Sequence, residues 1–233
     1  FSLDEYNGYL RIASTSDGSF FGLGMSTGTE ILSLNDVYVL DGELRQVGAV
    51  KDLGLEERIY SARFIGERGY VVTFRETDPF YVLDLTDPKS PQLAGELKIP
   101  GYSSYLHPLK ENLILGVGEE NGQVKLSLFD VASAAKPQEV DKYNMKDYWT
   151  DVEKNHHAFL QDADNSLFFM PGSDGGYVFS YQGDKLKMEK AIAGIEAKRA
   201  VYIDNYLYVA GAKEIKVYDE KTWEEVVALE LKQ

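Results

Sequence analysis

The residues of this sequence with the most chemistry to offer are its histidines, His107, His156 and His157, because a neutral imidazole is both a common metal ligand and a general base. Adjacent histidines on a strand point to opposite faces, and His107 falls at the far end of a different strand. A three-histidine metal site therefore has poor geometry. In DADNS, Asp162, Asp164 and Ser166 alternate as the first ligands of a calcium loop do, but the loop's glycine is missing and Ser173 stands where the bidentate glutamate belongs. We read that stretch as a hairpin turn. The absence of cysteine removes thiolate nucleophiles and Cys-ligated metals. No G-x-S-x-G elbow or phosphate-cradling loop occurs, and Glu119 and Glu120 read as solvated loop residues. No catalytic residue, metal or cofactor is assigned, and the reading leans away from an enzyme.

Binding chemistry is better supplied. The stretch KYNMKDYWTDVEKNHH, 142–157, sets Tyr143, Tyr148 and Trp149 among charges, which suits stacking against a sugar or a peptide. The competing reading is a lid packed on its own aromatics. A second set comes from aligning the strand starts: Ser61, Ser103 or Ser104, His157 and Arg199 fall at corresponding levels, with Tyr60, Tyr102, His156 and Lys198 beside them. Such a ring could hold an anionic or polar ligand at a channel mouth, or it could line a water-filled channel.

These placements depend on a repeat. VYVLD (37–41), FYVLD (80–84), LSLFD (126–130) and IKVYD (215–219) share an apolar alternation closed by Asp41, Asp84, Asp130 and Asp219. The separations of 43, 46 and 89 residues, the last being two periods, match the ~40–50 residues of a propeller blade. The copy missing from the long gap is YVFSYQG, 177–183. Within one unit, RIYSARFI, YVVTF, FYVLDL and QLAGELKI read as four short strands, separated by turns at Gly66 to Gly69, Asp78-Pro79 and Thr86 to Pro91. In the fourth unit HHAFLQD reads as the innermost strand, and in the fifth DEKTW, 219–223, reads as a structural turn with Trp223 packing. Helical periodicity is absent.

The expected fold is an all-β propeller of about five four-stranded blades, near 1–57, 58–101, 102–147, 156–195 and 197–233, forming one domain. The first blade has only FSLDEY for its innermost strand, so a larger propeller with blades before Phe1 is expected. Two long insertions, 14–35 and 142–157, are expected on the channel-mouth face, where a rigid scaffold positions binding loops.

Composition bounds the partners. A formal charge of −14, from 38 acidic and 24 basic residues, repels polyanions, so nucleic acid is excluded. No apolar run approaches the ~18 residues of a membrane span. No Asn-x-Ser/Thr glycosylation signal occurs.

The strings FSLDEYNGYLRIAST, NDVYVLD, ERIYSARFIGERGYVVTF, DPFYVLDLTDPKSP, LAGELKIPGYSSYLHP and LSLFDV resemble archaeal and bacterial secreted proteins that carry a C-terminal β-propeller domain. That resemblance implies a propeller distantly like WD repeats and export to the cell exterior. It implies no reaction or ligand. The leading expectation is a non-catalytic extracellular or cell-surface binding or assembly module with a protein or glycan partner. The alternatives are a hydrolase or lyase acting on extracellular polymer at the channel mouth, and an architectural cell-surface component.

Overall fold

The computed structural model describes residues 2–16, 33–74 and 78–232. Residues 17–32 of the first expected insertion lie outside the described residues. Strands β1 (Leu3–Tyr6), β2 (Tyr9–Ser16), β3 (Leu34–Leu40) and β4 (Gln46–Val50) form the first sheet. The second contains β5 (Arg58–Ile65), β6 (Arg68–Phe74), β7 (Asp78–Asp84) and β8 (Gln92–Ile99). The third contains β9 (Tyr102–Lys110), β10 (Leu113–Glu120), β11 (Gln123–Asp130) and β12 (Gln138–Asn144). The fourth contains β13 (Leu160–Asp162), β14 (Leu167–Gly172), β15 (Gly175–Ser180) and β16 (Lys187–Ala193). The fifth contains β17 (Ala197–Ile203), β18 (Tyr206–Gly211), β19 (Glu214–Asp219) and β20 (Glu225–Glu230). Each sheet follows sequence order, so the fold is all-β and of the propeller class, five blades of four strands.

Local chemistry explains the chain reversals. Asn7-Gly8 and Asn121-Gly122 all have positive φ, which is the backbone that a two-residue type I′ hairpin requires. The repeating aspartate closes the third strand of four blades with an Asx-turn. The Oδ1 atoms of Asp41, Asp84, Asp130 and Asp219 accept from the N–H groups of Glu43, Thr86, Ala132 and Lys221 at 2.9, 3.0, 2.9 and 2.9 Å. In the fourth blade Ser180 occupies the position, and its hydroxyl donates to Glu189 instead, at 2.7 Å.

Three expectations need correction. Asp78 and Pro79 already pair with Ile99 and Lys98, so β7 begins where a turn was expected. Glu119 and Glu120 end β10 and are half-buried, with Glu120 ion-paired to Lys142 at 2.9 Å. His156–Ala158 form a 3-10 helix, and the innermost strand of the fourth blade shrinks to Leu160–Asp162. Asn155 causes this: its side-chain oxygen caps the His157 N–H at 3.2 Å and turns the chain before a strand can start.

The chain divides into two compact units, Phe1–His107 with Asp130–Gln138, and Pro108–Phe129 with Glu139–Gln233. In the first, Ala13, Val37 and Val50 of one blade pack on Ala62, Phe64, Val71, Tyr81 and Leu83 of the next. In the second, Leu167, Phe169, Val178 and Ile192 pack on Ala200, Leu207, Val209 and Tyr218. Burying such stripes is the main stabilising term.

The blades also meet at their outer strands. A Cβ on Gly48 of β4 would lie 2.4 Å from the Pro88 carbonyl oxygen, and one on Gly95 of β8 would lie 2.3 Å from that of Ala134. Each glycine thus seats the third-to-fourth strand loop of the following blade against bare backbone. In the second unit Asp141 of β12 does the same work by hydrogen bonding, accepting from the Leu186 N–H at 2.7 Å.

Candidate functional site

In the first unit the structure brings Tyr60, Ser61, Tyr102 and Ser103 together. The register of β5 against β6 skips Tyr60, between Ile59↔Thr73 and Ser61↔Val72, so Tyr60 is a bulge residue aimed away from the ladder. Its ring meets that of Tyr102 at 4.7 Å and that of Phe74 at 5.6 Å, while Phe74 and Tyr102 lie 4.9 Å apart. Tyr60 stays exposed at the top of this cluster. The Ser61 hydroxyl donates to the Ser103 carbonyl at 2.7 Å, which ties the two strand starts together, and the Ser103 side chain is buried. Phe74 was missed in the sequence because it sits at the end of an apolar strand, where it reads as core.

In the second unit Lys198 occupies the same kind of bulge, skipped between Ala197↔Gly211 and Arg199↔Ala210. Tyr60 and Lys198 thus share one position in two blades, and Ser61 and Arg199 each follow it. Both Lys198 and Arg199 are exposed. The Lys198 ammonium lies 2.8 Å from the Glu196 carboxylate, which raises its pKa and lowers that of Glu196. His156 and His157 do not point to opposite faces: on the 3-10 helix their rings lie 3.9 Å apart, tilted by 39°, and both residues are exposed. His107 belongs to the first unit and stands 2.9 Å from the Tyr105 hydroxyl. Among the described residues no group of three or more His, Asp or Glu is arranged to hold a metal ion. DADNS is a turn, with Asp162 Oδ1 accepting from the Asp164 and Asn165 N–H groups at 3.1 and 3.2 Å.

The strongest arrangement is in the loop joining β12 to β13. Asp147 and Thr150 are 3% and 2% exposed, while Tyr148 and Trp149 between them are 71% and 43% exposed. Asp147 is the anchor. Its carboxylate accepts from the Tyr148 N–H at 2.8 Å, the Ser173 N–H at 3.0 Å, the Tyr177 hydroxyl at 2.8 Å and the Ser173 hydroxyl. Burial pushes its pKa up, but these four donors outweigh burial and hold it below the usual carboxylate value. Burial and the facing carboxylate together push Tyr177 up to about 12. Thr150 donates to the Pro171 carbonyl at 2.6 Å and caps the 3-10 helix Asp151–Glu153 through Val152 N–H at 3.3 Å. Met145, Val152, Ala158 and Phe159 are buried beneath. The loop backbone is therefore a fixed support, ordered before any ligand arrives, and it carries the two rings into solvent. Asp147 was not singled out from the sequence; an acidic residue directly before a Tyr-Trp pair was its only signal.

A cavity of about 260 Å³ lies between the turns of the fourth and fifth blades, lined by Asn165, Gln182, Asn205, Glu220, Lys221 and Trp223 among others. Trp223 also packs on the core between these blades, and its N–H donates to the Asp219 carbonyl at 2.7 Å, which fixes the DEKTW turn. Burial, with Asp162 and Asp219 nearby, pushes the Glu220 carboxyl up to about 7.

Comparison with known proteins gives relatives of the whole segment. A protein of Archaeoglobus fulgidus, described as uncharacterised, is 53% identical over 231 residues, covering 99% of this chain and 35% of that protein. One of Methanocaldococcus jannaschii, described in the same way, is 42% identical over 232 residues, covering 99% of this chain and 36% of that protein. The chain thus spans about a third of the length of the curated relatives it matches. Among solved structures, apo AztD from Citrobacter koseri superposes with a TM-score of 0.63 at 13% identity, over 99% of this chain and 59% of that one, a likeness of fold alone. The model of the beta propeller domain family matches residues 1–223, and with five four-stranded blades in sequence order the chain belongs to that family.

Proposed function

We propose that the chain is a non-catalytic binding module acting at the cell exterior, and that it takes a neutral glycan on the Tyr148–Trp149 platform. One observation carries the reading: two exposed aromatic rings stand between two buried, hydrogen-bonded anchors. An aromatic pair on an anchored loop loses little backbone entropy on binding, and its flat apolar faces match the C–H face of a sugar ring. The net charge of −14 disfavours a polyanionic ligand, so among glycans the charge favours neutral over acidic ones.

The test is calorimetric titration of a panel of neutral oligosaccharides, with peptides as the comparison arm. Trp149→Ala is expected to weaken glycan binding at least tenfold while the melting temperature stays within a few degrees. Peptide binding lost in the same variant would replace glycan by peptide as the ligand class. Silence from both arms at millimolar concentration would sink the proposal. Location is tested separately, by whether protease added to intact cells removes the protein.

A further inference from the structure

The fifth blade uses its two faces unequally. Ala200, Leu207, Val209 and Tyr218 on one face are buried against the fourth blade. Register places Val201, Tyr208, Val217 and Val227 in one cross-strand row of the opposite face. The next row is Arg199, Ala210, Ile215 and Leu229, apolar on three of its four strands. Val201, Ile203, Val227 and Leu229 on this face are each more than half exposed. A contiguous apolar face of this size on a water-exposed sheet marks an interaction surface.

Its pattern identifies the partner. The fourth blade covers the fifth with the row Leu160, Phe169 and Val178, together with Leu167 and Ile192. Counting outward from the row, Phe169 corresponds to Tyr208, Val178 to Val217 and Leu160 to Val201. Leu167 and Ile192, two residues further along their strands, correspond to Tyr206 and Leu229. Each of these five strand residues of the fourth blade thus has an apolar or aromatic counterpart on the opposite face of the fifth.

We propose that this face seats another four-stranded sheet of the same blade architecture, belonging to the same longer polypeptide. A peptide strand would need one exposed edge; here the row Val201, Tyr208, Val217 and Val227 is apolar across all four strands, which fits a whole sheet. The curated relatives are nearly three times the length of the matched segment, with ample polypeptide for further blades. The proposal is independent of the glycan reading.

These 233 residues contain no cysteine, and with any thiol elsewhere in the full-length protein replaced by serine, single introduced thiols report on the face. Val227→Cys, Leu229→Cys and the exposed turn control Glu224→Cys are placed one at a time in the full-length protein and labelled with a maleimide. In the native protein Val227→Cys and Leu229→Cys are expected to label at least tenfold more slowly than Glu224→Cys, with equal rates in urea. Native rates equal to the control overturn the proposal. Protection that disappears on dilution to a monomer also overturns it, because a second copy would then be the occupant. Two thiol positions keep the result readable if one variant fails to fold.

Discussion

Asp147 and Ser173 are joined twice, the carboxylate accepting from both the backbone N–H and the hydroxyl of the serine, so the β12–β13 loop is stitched to the β14–β15 turn. The stitch makes the aromatic platform part of the scaffold. Asp147→Ala leaves four donors facing a void, and we expect a loss of about 2–4 kcal/mol, with new proteolytic cleavage between residues 145 and 159. Limited proteolysis and chemical denaturation check both. A fall in stability without loop cleavage would show that the anchor serves the blade and not the loop.

The same carboxylate gives an acid response with a definite sign. Its folded pKa lies below the unfolded value, so its contribution is present above the unfolded pKa and is lost as pH falls through the folded one. Loop cleavage is expected to rise below about pH 4 in the wild type, and to be high and independent of pH in Asp147→Ala.

Glu220 behaves oppositely. Its folded pKa is raised to about 7, so the folded state holds the proton more tightly than the unfolded chain does. The stabilisation is full below the unfolded pKa, near 4.5, and is lost as pH rises through about 7. Glu220→Gln keeps the size of the side chain without the charge, and after allowance for solvent screening it should be about 1 kcal/mol more stable than wild type at pH 8. Equal stabilities of the two proteins at pH 8 would contradict this.

Gly95→Ala drives a methyl group into the Ala134 carbonyl, a backbone atom that cannot swing aside. A cost of about 1–3 kcal/mol is expected, against almost none for Gly42→Ala, where the added atom meets nothing and the backbone is not in the left-handed region. Thermal melts of the two variants side by side decide the matter.

The two tryptophans offer an optical check. Trp149 is open to solvent and Trp223 is half-buried against the core, so acrylamide should quench Trp149 more strongly, and Trp149→Phe should lower the quenching of the remaining emission. Emission that remains equally quenchable would show Trp223 to be as open to solvent as Trp149.

The blade order was legible because one aspartate recurs at a fixed interval, and its role as an Asx-turn acceptor explains why that residue type and position repeat. The site was legible only in part. Tyr148 and Trp149 stood out as aromatics among charges, whereas Asp147 acts through Ser173 and Tyr177, which lie 26 and 30 residues away, and no local pattern reports such a contact. His156 and His157 were misplaced because a strand-like alternation hides the Asn155 cap that turns them into a helix. The faces of the fifth blade looked alike in sequence, since an apolar residue has the same letter whether or not a neighbour covers it.

The outer-strand contacts at Gly48 and Gly95 give the row of blades a direction. One edge of a blade is a socket, and the loop between its third and fourth strands is the plug that fits the socket of the blade before it. Plug cannot meet plug, nor socket meet socket. Blades can therefore be added or duplicated in only one orientation, like couplings on railway wagons that all face the same way, and a transplanted blade should lock only behind a predecessor whose outer strand offers the gap, or the acceptor, that its loop requires.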